Sequence, residues 1–272
     1  MWILYLSVAG VACILLLLAA IAPRRKRNTS PFDHTLYAHR GLHDNATNAP
    51  ENSLAAFAAA AAAGYGVELD VQFTADRQIV VFHDSDLKRM CGINKRVDEL
   101  TYAELRTYRL LNSDQTIPLL SDVLEILDGT TLLCEFKPMR SYTDTSLCMA
   151  TLPLLNNYKG AVCIESFNPF MVRWFKKHAP QYIRGILSKR FVKGEVAYVL
   201  RFPLASLFTN WLCRPDFVAY QHTDYKQPFF RLCRLFRPTT IAWTVGTADE
   251  YTSAKQRFDA VIFEGFSPAE TN

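Results

Sequence analysis

Four apolar segments of the sequence end in side chains that could perform acid–base, metal and anion chemistry. They are two histidines, three carboxylates and two cations: His39, His83, Glu68, Asp70, Glu135, Arg40 and Lys137. Carboxylate oxygens are suitable ligands for a hard divalent ion such as Mg²⁺ or Ca²⁺. Histidines can serve as general acid and general base, and a guanidinium matches the oxygens of a phosphate group. The set therefore fits a metal-dependent reaction on an anionic substrate.

The spacing of the acidic residues predicts that they share a face. Side chains alternate along a strand, so Glu68 and Asp70 point to one side, and Glu135 and Lys137 do likewise. Carboxylates buried together repel one another unless a cation or protons compensate. A plainer interpretation is that Glu68 and Asp70 are only the ion-pair partners of Arg40 and Lys137.

Strand-like runs alternate with helical stretches from residue 35 onward. The predicted strands are Thr35–Ala38, Gly66–Val71, Gln78–Phe82, Thr131–Phe136, Ala161–Glu165, Ile183–Leu187, Asp216–Tyr220, Thr239–Thr244 and Ala260–Phe263. The predicted helices include Leu54–Ala63, with Asn52 or Ser53 as its cap, Leu119–Leu127, Pro169–His178 and Glu250–Phe258. This alternation predicts an α/β fold, a (β/α)₈ TIM barrel, for which nine strands are one too many.

The second and third strands account for the surplus. Too few residues separate Val71 from Phe82 for a helix, so the two runs must form a hairpin with Asp76-Arg77 as its turn. Pairing outward from a two-residue turn sets Asp70 opposite His83. The hairpin should then return His83 to the carboxyl-terminal mouth of the barrel, where such folds place active sites.

Seven short motifs together resemble the glycerophosphodiester phosphodiesterase family. They are A-H-R-G (38–41), A-P-E-N-S-L-A-A-F (49–57), G-V-E-L-D-V-Q-F-T (66–74), V-V-F-H-D (80–84), C-E-F-K (134–137), E-S-F-N (165–168) and A-W-T-V (242–245). They occur in the same order over roughly residues 35–268. The resemblance implies a TIM barrel that uses a divalent metal to hydrolyse glycerophosphodiesters to an alcohol and glycerol 3-phosphate.

The resemblance also implies a role for each matching residue. His39 and His83 would be the catalytic pair, Glu68, Asp70 and Glu135 the metal ligands, and Arg40 and Lys137 the phosphate-contacting cations. Trp243 would line the substrate site or belong to the barrel core. Glu51 and Asn52 would either support the metal site or simply begin the helix at Leu54. Two alternative functions stay open: lysophospholipase D-type hydrolysis of lysophospholipids, and a catalytically silent membrane scaffold or phosphate-binding barrel.

The amino terminus predicts a membrane anchor. Residues 1–22 carry no charge, and Arg24-Arg25-Lys26-Arg27 follow at once and equal the whole formal net charge of +4. We therefore predict a transmembrane segment over residues 1–23, a basic linker over 24–34 and a barrel domain over 35–272. Because cations beside a span favour the cytoplasmic side, the barrel is expected there. The charge balance of the remainder excludes a basic nucleic-acid-binding surface.

One stretch of the barrel domain combines cations with aromatic residues. Residues 189–237 contain nine Lys and Arg and three acidic residues, interleaved with Phe, Tyr and Trp. Arg231, Arg234 and Arg237 should fall on one side of a helix between Pro228 and Pro238. Either this is an ordinary outer helix with a solvated basic face, or it forms a second contact with membrane lipids.

Overall fold

The computed structural model describes residues 1–24, 32, 35–138 and 140–268, and within them a parallel β-barrel surrounded by helices. Its strands, β1 to β9, are Leu36–His39, Gly66–Phe73, Ile79–Val81, Leu132–Phe136, Val162–Ser166, Ile183–Ser188, Phe217–Gln221, Thr239–Val245 and Ala260–Phe263. The order around the sheet is β1-β9-β8-β7-β6-β5-β4-β2, and β1 also pairs with β2, which closes eight parallel strands into a barrel. Strand β3 pairs only with β2, as the hairpin prediction requires. The predicted (β/α)₈ fold is confirmed.

The described helices, α1 to α11, lie before β1 and in the connections between the strands. They are Trp2–Ile21, Leu54–Ala62, Lys88–Cys91, Tyr102–Leu105, Leu120–Leu127, Ser146–Asn157, Pro169–His178, Tyr198–Ala205, Asn210–Cys213, Pro228–Arg234 and Ala248–Lys255. Two 3₁₀ turns lie at Val97–Glu99 and His222–Asp224. Helix α2 begins where Ser53 accepts a hydrogen bond from the Ala56 amide, so Ser53 is the cap and Asn52 is free for another role.

Two layers of apolar side chains hold the barrel together. Residues facing inward from the strands fill the barrel below the site, among them Tyr37, Leu133 and Phe217. Residues facing outward pack against the helices. Gly185 of β6 is required because a Cβ there would overlap the ring of Phe217 on the next strand. The inward layer therefore seals the amino end and leaves the carboxyl end for polar residues.

The hairpin differs by one residue from its predicted register. Val71 pairs with Val81 and Phe73 with Ile79, so the Phe82 amide donates to the Asp70 carbonyl, and His83 lies beyond the pairing. The reason is a three-residue loop in place of the two-residue turn: Arg77 adopts φ 60° and absorbs the extra residue. The Thr74 hydroxyl accepts from the Gln78 amide at 2.9 Å, which fixes that loop.

A small second core lies in the insertion between β3 and α5 of the chain. It contains Val80, Phe82, Met90 and Leu105, all buried, together with neighbours from α3, α4 and the turn at Val97–Glu99. No helix or strand was predicted for this insertion. The insertion packs the segment that carries His83 and Asp84 against the rim of the barrel. The hairpin and the insertion together therefore position His83.

The amino-terminal helix α1 ends against the side of the barrel. Ile21 is completely buried, and its carbonyl accepts a hydrogen bond from the Asn210 side chain at 2.7 Å. The Arg214 guanidinium donates to the carbonyls of Ala19 and Ala22 at 2.9 and 2.7 Å. The last turn of α1 is thus part of the folded domain.

The predicted transmembrane segment over residues 1–23 is not supported. Across the residues that the structure describes, no helix combines the length and apolar character needed to cross a membrane. Most of the predicted basic linker, including Arg25, Lys26 and Arg27, lies outside the described residues.

Candidate active site

Strand register brings the predicted residues together at the carboxyl end of the barrel. His39 of β1 pairs with Glu68 of β2, Asp70 of β2 pairs with Glu135 of β4, and Glu135 pairs with Glu165 of β5. Parallel strands in this register align these residues in neighbouring positions, with inward-facing side chains at the same height. Four carboxylates and a histidine therefore meet at the mouth. Glu165 was not predicted, although it lies in the E-S-F-N motif at the strand position equivalent to Glu135.

The three predicted metal ligands form a compact buried cluster. One oxygen from each of Glu68, Asp70 and Glu135 lies within 4.8 Å of the others. Burial, reinforced by the charges of Asp70 and Glu135, raises the pKa of Glu68 well above its ordinary value. Burial, followed by the charge of Glu135, likewise raises the pKa of Glu165. The cluster thus holds more negative charge than its surroundings stabilise.

Two cations partly compensate this charge. The Lys137 ammonium lies 2.7 Å from Asp70 Oδ1 and 2.8 Å from Glu135 Oε1. The Arg40 backbone amide donates to Glu68 Oε2 at 3.1 Å, and its guanidinium Nε lies 3.4 Å from Asp70 Oδ2. Burial alone would raise the pKa of Asp70, but Lys137, His83 and Arg40 together hold it well below its ordinary value. Asp70 is therefore the ionised member of the cluster.

The donor set fits a hard divalent cation. The fixed cations that contact these four buried carboxylates are Arg40 and Lys137, and Arg40 is shared with Glu51, so at least two negative charges remain uncompensated when all four are ionised. Glu165 Oε2 and Asn52 Oδ1 are also buried without a hydrogen-bond partner. Oxygen ligands with an excess of two charges match Mg²⁺ or Ca²⁺ in hardness and in charge. Glu68, Asp70 and Glu135 are the residues that would hold the ion.

His39 is oriented by a carboxylate that the sequence analysis did not assign to the site. Its Nδ1 lies 2.6 Å from Glu264 Oε2, while Nε2 lies 3.9 Å from Glu68 Oε2. Glu264 follows β9, and its position directly after the last strand was the signal available in the sequence. Burial lowers the pKa of His39, and the hydrogen bond to Glu264 opposes that shift. The ring therefore presents Nε2 to the cluster and Nδ1 to Glu264.

His83 lies near Asp70 and Glu135 of the cluster and has its own carboxylate partner. His83 Nδ1 lies 2.7 Å from Asp84 Oδ1. The Arg89 guanidinium then joins Asp84 to Glu51, with Nε 2.7 Å from Asp84 Oδ2 and Nη1 2.7 Å from Glu51 Oε2. Arg89 belongs to the unpredicted insertion, and no motif in the sequence marked it. It links the segment carrying His83 to the entrance of helix α2.

Glu51 and Asn52 both contact residues of the candidate site. The Arg40 Nη1 donates to Glu51 at 2.6 Å, and the Asn52 amide donates to Asp70 Oδ2 at 3.0 Å. The two cations Arg40 and Arg89 lower the pKa of Glu51 to about 2, although its burial acts in the opposite direction. Glu51 is therefore an ionised bridge between these guanidinium groups.

The local backbone is shaped to make these contacts. Arg40 and Gly41 both adopt left-handed conformations, with φ of 56° and 85°, so the chain turns sharply after His39. Gly41 permits this turn because a Cβ would come within 2.7 Å of the Ala56 backbone. Asn52 also has a positive φ of 56°. Arg40 and Asn52, two residues in backbone conformations that most side chains avoid, thus lie directly beside the acidic cluster.

Aromatic rings form the opposite wall of the mouth. Trp243 of β8 packs edge-on against Phe167 with ring centres 5.5 Å apart, and Phe191 packs against Phe167 at 6.0 Å. Trp243 Nε1 is buried without a hydrogen-bond partner. Trp243 therefore lies where the barrel interior meets the mouth. Its surroundings fit both predictions, a wall of the substrate site and a member of the barrel core.

Comparisons with known proteins agree with this geometry. Residues 39–265 match the profile of the glycerophosphoryl diester phosphodiesterase family. An uncharacterized Bacillus subtilis protein, YqiK, is 40% identical over 178 residues, which cover 62% of this chain and 72% of that protein. The rat lysophospholipase D GDPD1 is 34% identical over 137 residues, which cover 46% of this chain and 42% of the rat protein.

A Bacillus altitudinis glycerophosphodiester phosphodiesterase is 39% identical over 99 residues, covering 34% of this chain and 39% of that enzyme. The matched region thus spans only about two fifths of the rat and Bacillus altitudinis proteins.

Solved structures share the fold at lower sequence identity. An Oleispira antarctica phosphodiesterase, in complex with its product sn-glycerol 3-phosphate, superimposes with a TM-score of 0.68 at 22% identity, covering 85% of this chain and 93% of that one. The Thermotoga maritima glycerophosphodiester phosphodiesterase gives a TM-score of 0.64 at 24% identity, with coverage of 85% and 94%. The family profile matches most of the chain, and the barrel presents the histidines and carboxylates of the seven motifs at one mouth; the chain therefore belongs to the glycerophosphoryl diester phosphodiesterase family.

Proposed function

We propose that this protein hydrolyses glycerophosphodiesters to an alcohol and sn-glycerol 3-phosphate. The observation that carries the proposal is that His39 and His83 both lie beside a buried carboxylate cluster. His39 Nε2 lies 3.9 Å from Glu68, and the charge of His83 acts on Asp70 and Glu135. A general acid and a general base on opposite sides of a phosphate site are the groups that phosphodiester cleavage requires.

The two histidines can exchange protons in two steps. In the first step, one histidine accepts the proton of the glycerol hydroxyl next to the phosphate, and that oxygen attacks phosphorus. The other histidine donates a proton to the departing alcohol, which leaves a cyclic phosphate. In the second step, a water gives its proton to one histidine and opens the cyclic phosphate, and the ring-opened hydroxyl takes a proton from the other. Both histidines then return to their starting protonation states.

The remaining residues of the site would hold the reactants in place. Glu68, Asp70 and Glu135 would bind a divalent metal ion, which when bound supplies positive charge to the phosphate and lowers the pKa of the attacking hydroxyl. Arg40 and Lys137 add fixed positive charge beside the phosphate. Glu264 and Asp84 hold the histidine rings through Nδ1 and leave Nε2 available at each ring. The intact set supports catalysis over a silent scaffold or phosphate-binding barrel.

Substitution of the histidines tests the proposal. We expect His39→Ala and His83→Ala each to lower the release of sn-glycerol 3-phosphate from glycerophosphocholine by about 10²–10⁴-fold, the usual contribution of a general acid or base. His178→Ala is the matched control, because His178 is exposed at the end of α7 and stacks only on Trp174. Circular dichroism checks that the variants fold. Wild-type turnover in either histidine variant would contradict the proposal.

Lysophospholipase D-type hydrolysis is a second candidate for the same site. The aromatic wall of Trp243, Phe167 and Phe191 supports it, because these rings offer an apolar surface beside the acidic cluster. The name of the rat relative points in the same direction. Parallel assays on glycerophosphocholine and lysophosphatidylcholine distinguish the two substrates. Faster cleavage of lysophosphatidylcholine, with loss of that rate in Trp243→Ala, would favour the second candidate.

Membrane lipids remain proposed partners, and a cytoplasmic location remains a prediction. The prediction rests on the uncharged residues 1–22 followed by Arg24 and three further cations. Protease protection of the barrel in sealed membrane vesicles of known orientation would test the side on which it lies. Cleavage of the barrel from the non-cytoplasmic side would contradict the prediction.

A further inference from the structure

One side of the barrel exposes large apolar side chains from three consecutive helices. Tyr198 on α8 is 83% exposed and Leu235, directly after α10, is 73% exposed. The apolar residues exposed on this side, here named the α8–α10 face, are Tyr198, Val199, Phe202, Trp211, Leu235 and Phe236. Exposed rings and aliphatic chains in this number are unusual on the surface of a monomeric protein and indicate a partner.

Direct packing makes this face continuous. The Phe202 ring on α8 contacts the Phe229 ring on α10 with centres 5.6 Å apart. Asn210 on α9 reaches Cys233 on α10 at 3.9 Å and also the carbonyl of Ile21 at the end of α1. Helix α1 therefore joins the barrel at this face. The exposed side chains on its outer part include Val8, Val11, Ile14 and Leu16, which extend the apolar surface.

Cations accompany the apolar residues. Arg231 and Arg234 are exposed on α10, whereas Phe230 and Cys233 of the same helix are buried. Arg237 is exposed as well, but the helix ends at Arg234 and Arg237 has a left-handed φ of 52°, so the prediction of one helix carrying all three arginines is wrong for Arg237. Within the described ranges, none of these arginines has an acidic partner. Arg234 and Arg237 also line a cavity of about 580 Å³ at the amino ends of β1, β8 and β9, and Lys255, Arg257 and the acidic Asp259 line it too. Four basic side chains around one opening can hold the phosphate group of a lipid.

We propose that the α8–α10 face binds the surface of a bilayer that contains anionic lipids. Its apolar side chains would enter the interface, and its arginines would contact the headgroup phosphates. A second copy of the chain is a poorer occupant, because a two-fold contact through this face would bring like-charged arginines together. This binding is independent of the proposed hydrolysis, since none of these residues belongs to the site.

The docked face adjoins the mouth through the β6–α8 connection. Phe191 in that connection packs on Phe167, and Phe167 packs on Trp243 at the mouth. A bilayer against α8 would therefore lie beside the connection that carries Phe191. Arg234 and Arg237 lie toward the amino ends of β8 and β9, away from the mouth, so the contact would run along the side of the barrel and leave the mouth open to water.

Vesicle binding by the full chain tests the proposal. We compare co-flotation with phosphatidylcholine vesicles and with vesicles that also contain phosphatidylglycerol. The double variant Arg231→Glu/Arg234→Glu should lower the affinity for the anionic vesicles by about tenfold or more and leave binding to neutral vesicles unchanged. The matched control Lys95→Glu/Lys159→Glu carries the same change of net charge at exposed lysines in other parts of the surface, and it should retain wild-type binding.

A second measurement addresses the apolar contribution. Trp211→Ala should weaken binding to both vesicle types, because Trp211 is 61% exposed and would enter the interface. Hydrolysis of glycerophosphocholine in solution should stay unchanged in all these variants, which separates this proposal from the proposed function.

Three results would overturn the proposal: equal wild-type binding to neutral and anionic vesicles, wild-type binding by the double variant, or an equal loss in the lysine control. Dimerisation of the wild type that the double variant abolishes, without any change in lipid binding, would assign the face to a second copy instead.

Discussion

Crowding of carboxylates at the mouth should make the stability of this protein depend on metal and on pH together. Burial and the neighbouring charges raise the pKa of Glu68 well above its ordinary value of 4.5. In the metal-free protein, the folded state then binds a proton more tightly than the unfolded chain does. Metal-free stability should therefore fall as the pH rises from about 4.5 through the raised folded pKa. A divalent ion bound by Glu68, Asp70 and Glu135 should remove most of this dependence.

The expected magnitudes follow from two relations. A metal ion present at about 100 times its dissociation constant stabilises the folded state by about 2.7 kcal/mol, which corresponds to a rise in Tm of roughly 5–10 °C for a chain of this size. Each unit by which the folded pKa of Glu68 exceeds its ordinary value costs about 1.4 kcal/mol at high pH. Glu68→Gln removes that cost, so the metal-free variant should melt roughly 3–5 °C higher per unit at alkaline pH.

Thermal unfolding followed by circular dichroism measures both effects. The wild type, Glu68→Gln and the control Glu125→Gln are each melted between pH 5 and 8.5, after chelation and again with excess Ca²⁺ or Mg²⁺. Glu125 is exposed on α5 and should behave as the wild type does. Two outcomes would refute the reasoning: metal-free stability that rises with pH over this range, or a metal-induced shift that is as large in Glu68→Gln as in the wild type.

Three further predictions concern individual contacts. Glu264→Gln should lower kcat by about 10-fold to 100-fold, which is less than the direct loss of a general acid or base. Because Glu264 raises the pKa of His39, this variant should also move the limb of the pH–rate profile that reports His39 to lower pH. An unchanged profile would refute this prediction. Gly185→Ala should destabilise the fold by about 1–3 kcal/mol through overlap with Phe217, measured by urea unfolding, and wild-type stability would contradict it. Ser53→Ala should cost about 1 kcal/mol by removing the cap of α2, whereas Ser53→Thr should retain most of it.

Most of the fold was predictable because its signals are local. All nine strands lie within two residues of their predicted bounds, and Pro169–His178 forms a helix with the predicted limits. Side-chain alternation then placed Glu68 and Asp70 on one face without any knowledge of tertiary contacts. The motifs added the histidine pair and the predicted metal ligands, which the barrel brings to one mouth.

The hairpin register was mispredicted because its local pattern has more than one solution. Asp76-Arg77 is compatible with a two-residue turn, but Arg77 adopts a left-handed conformation in a three-residue loop, and this shifted the register by one. The uncharged residues 1–22 predicted a spanning segment, and among the described residues no helix is long and apolar enough to support that prediction.

The sequence by itself determined the fold class, the identity of the acidic and basic groups, and the family, because periodicity, residue type and motif order are properties of the linear chain. Only the tertiary structure decided which groups act on one another. Glu264 reaches His39 across 225 positions, and Arg89 joins Glu51 to Asp84 from within an insertion that no motif marks. Such pairings depend on strand register and on the closure of the barrel. These bring together segments whose contact no pattern in the sequence indicates. The charge state of the cluster is decided in the same way, because burial and neighbouring charges exist only once the barrel has closed.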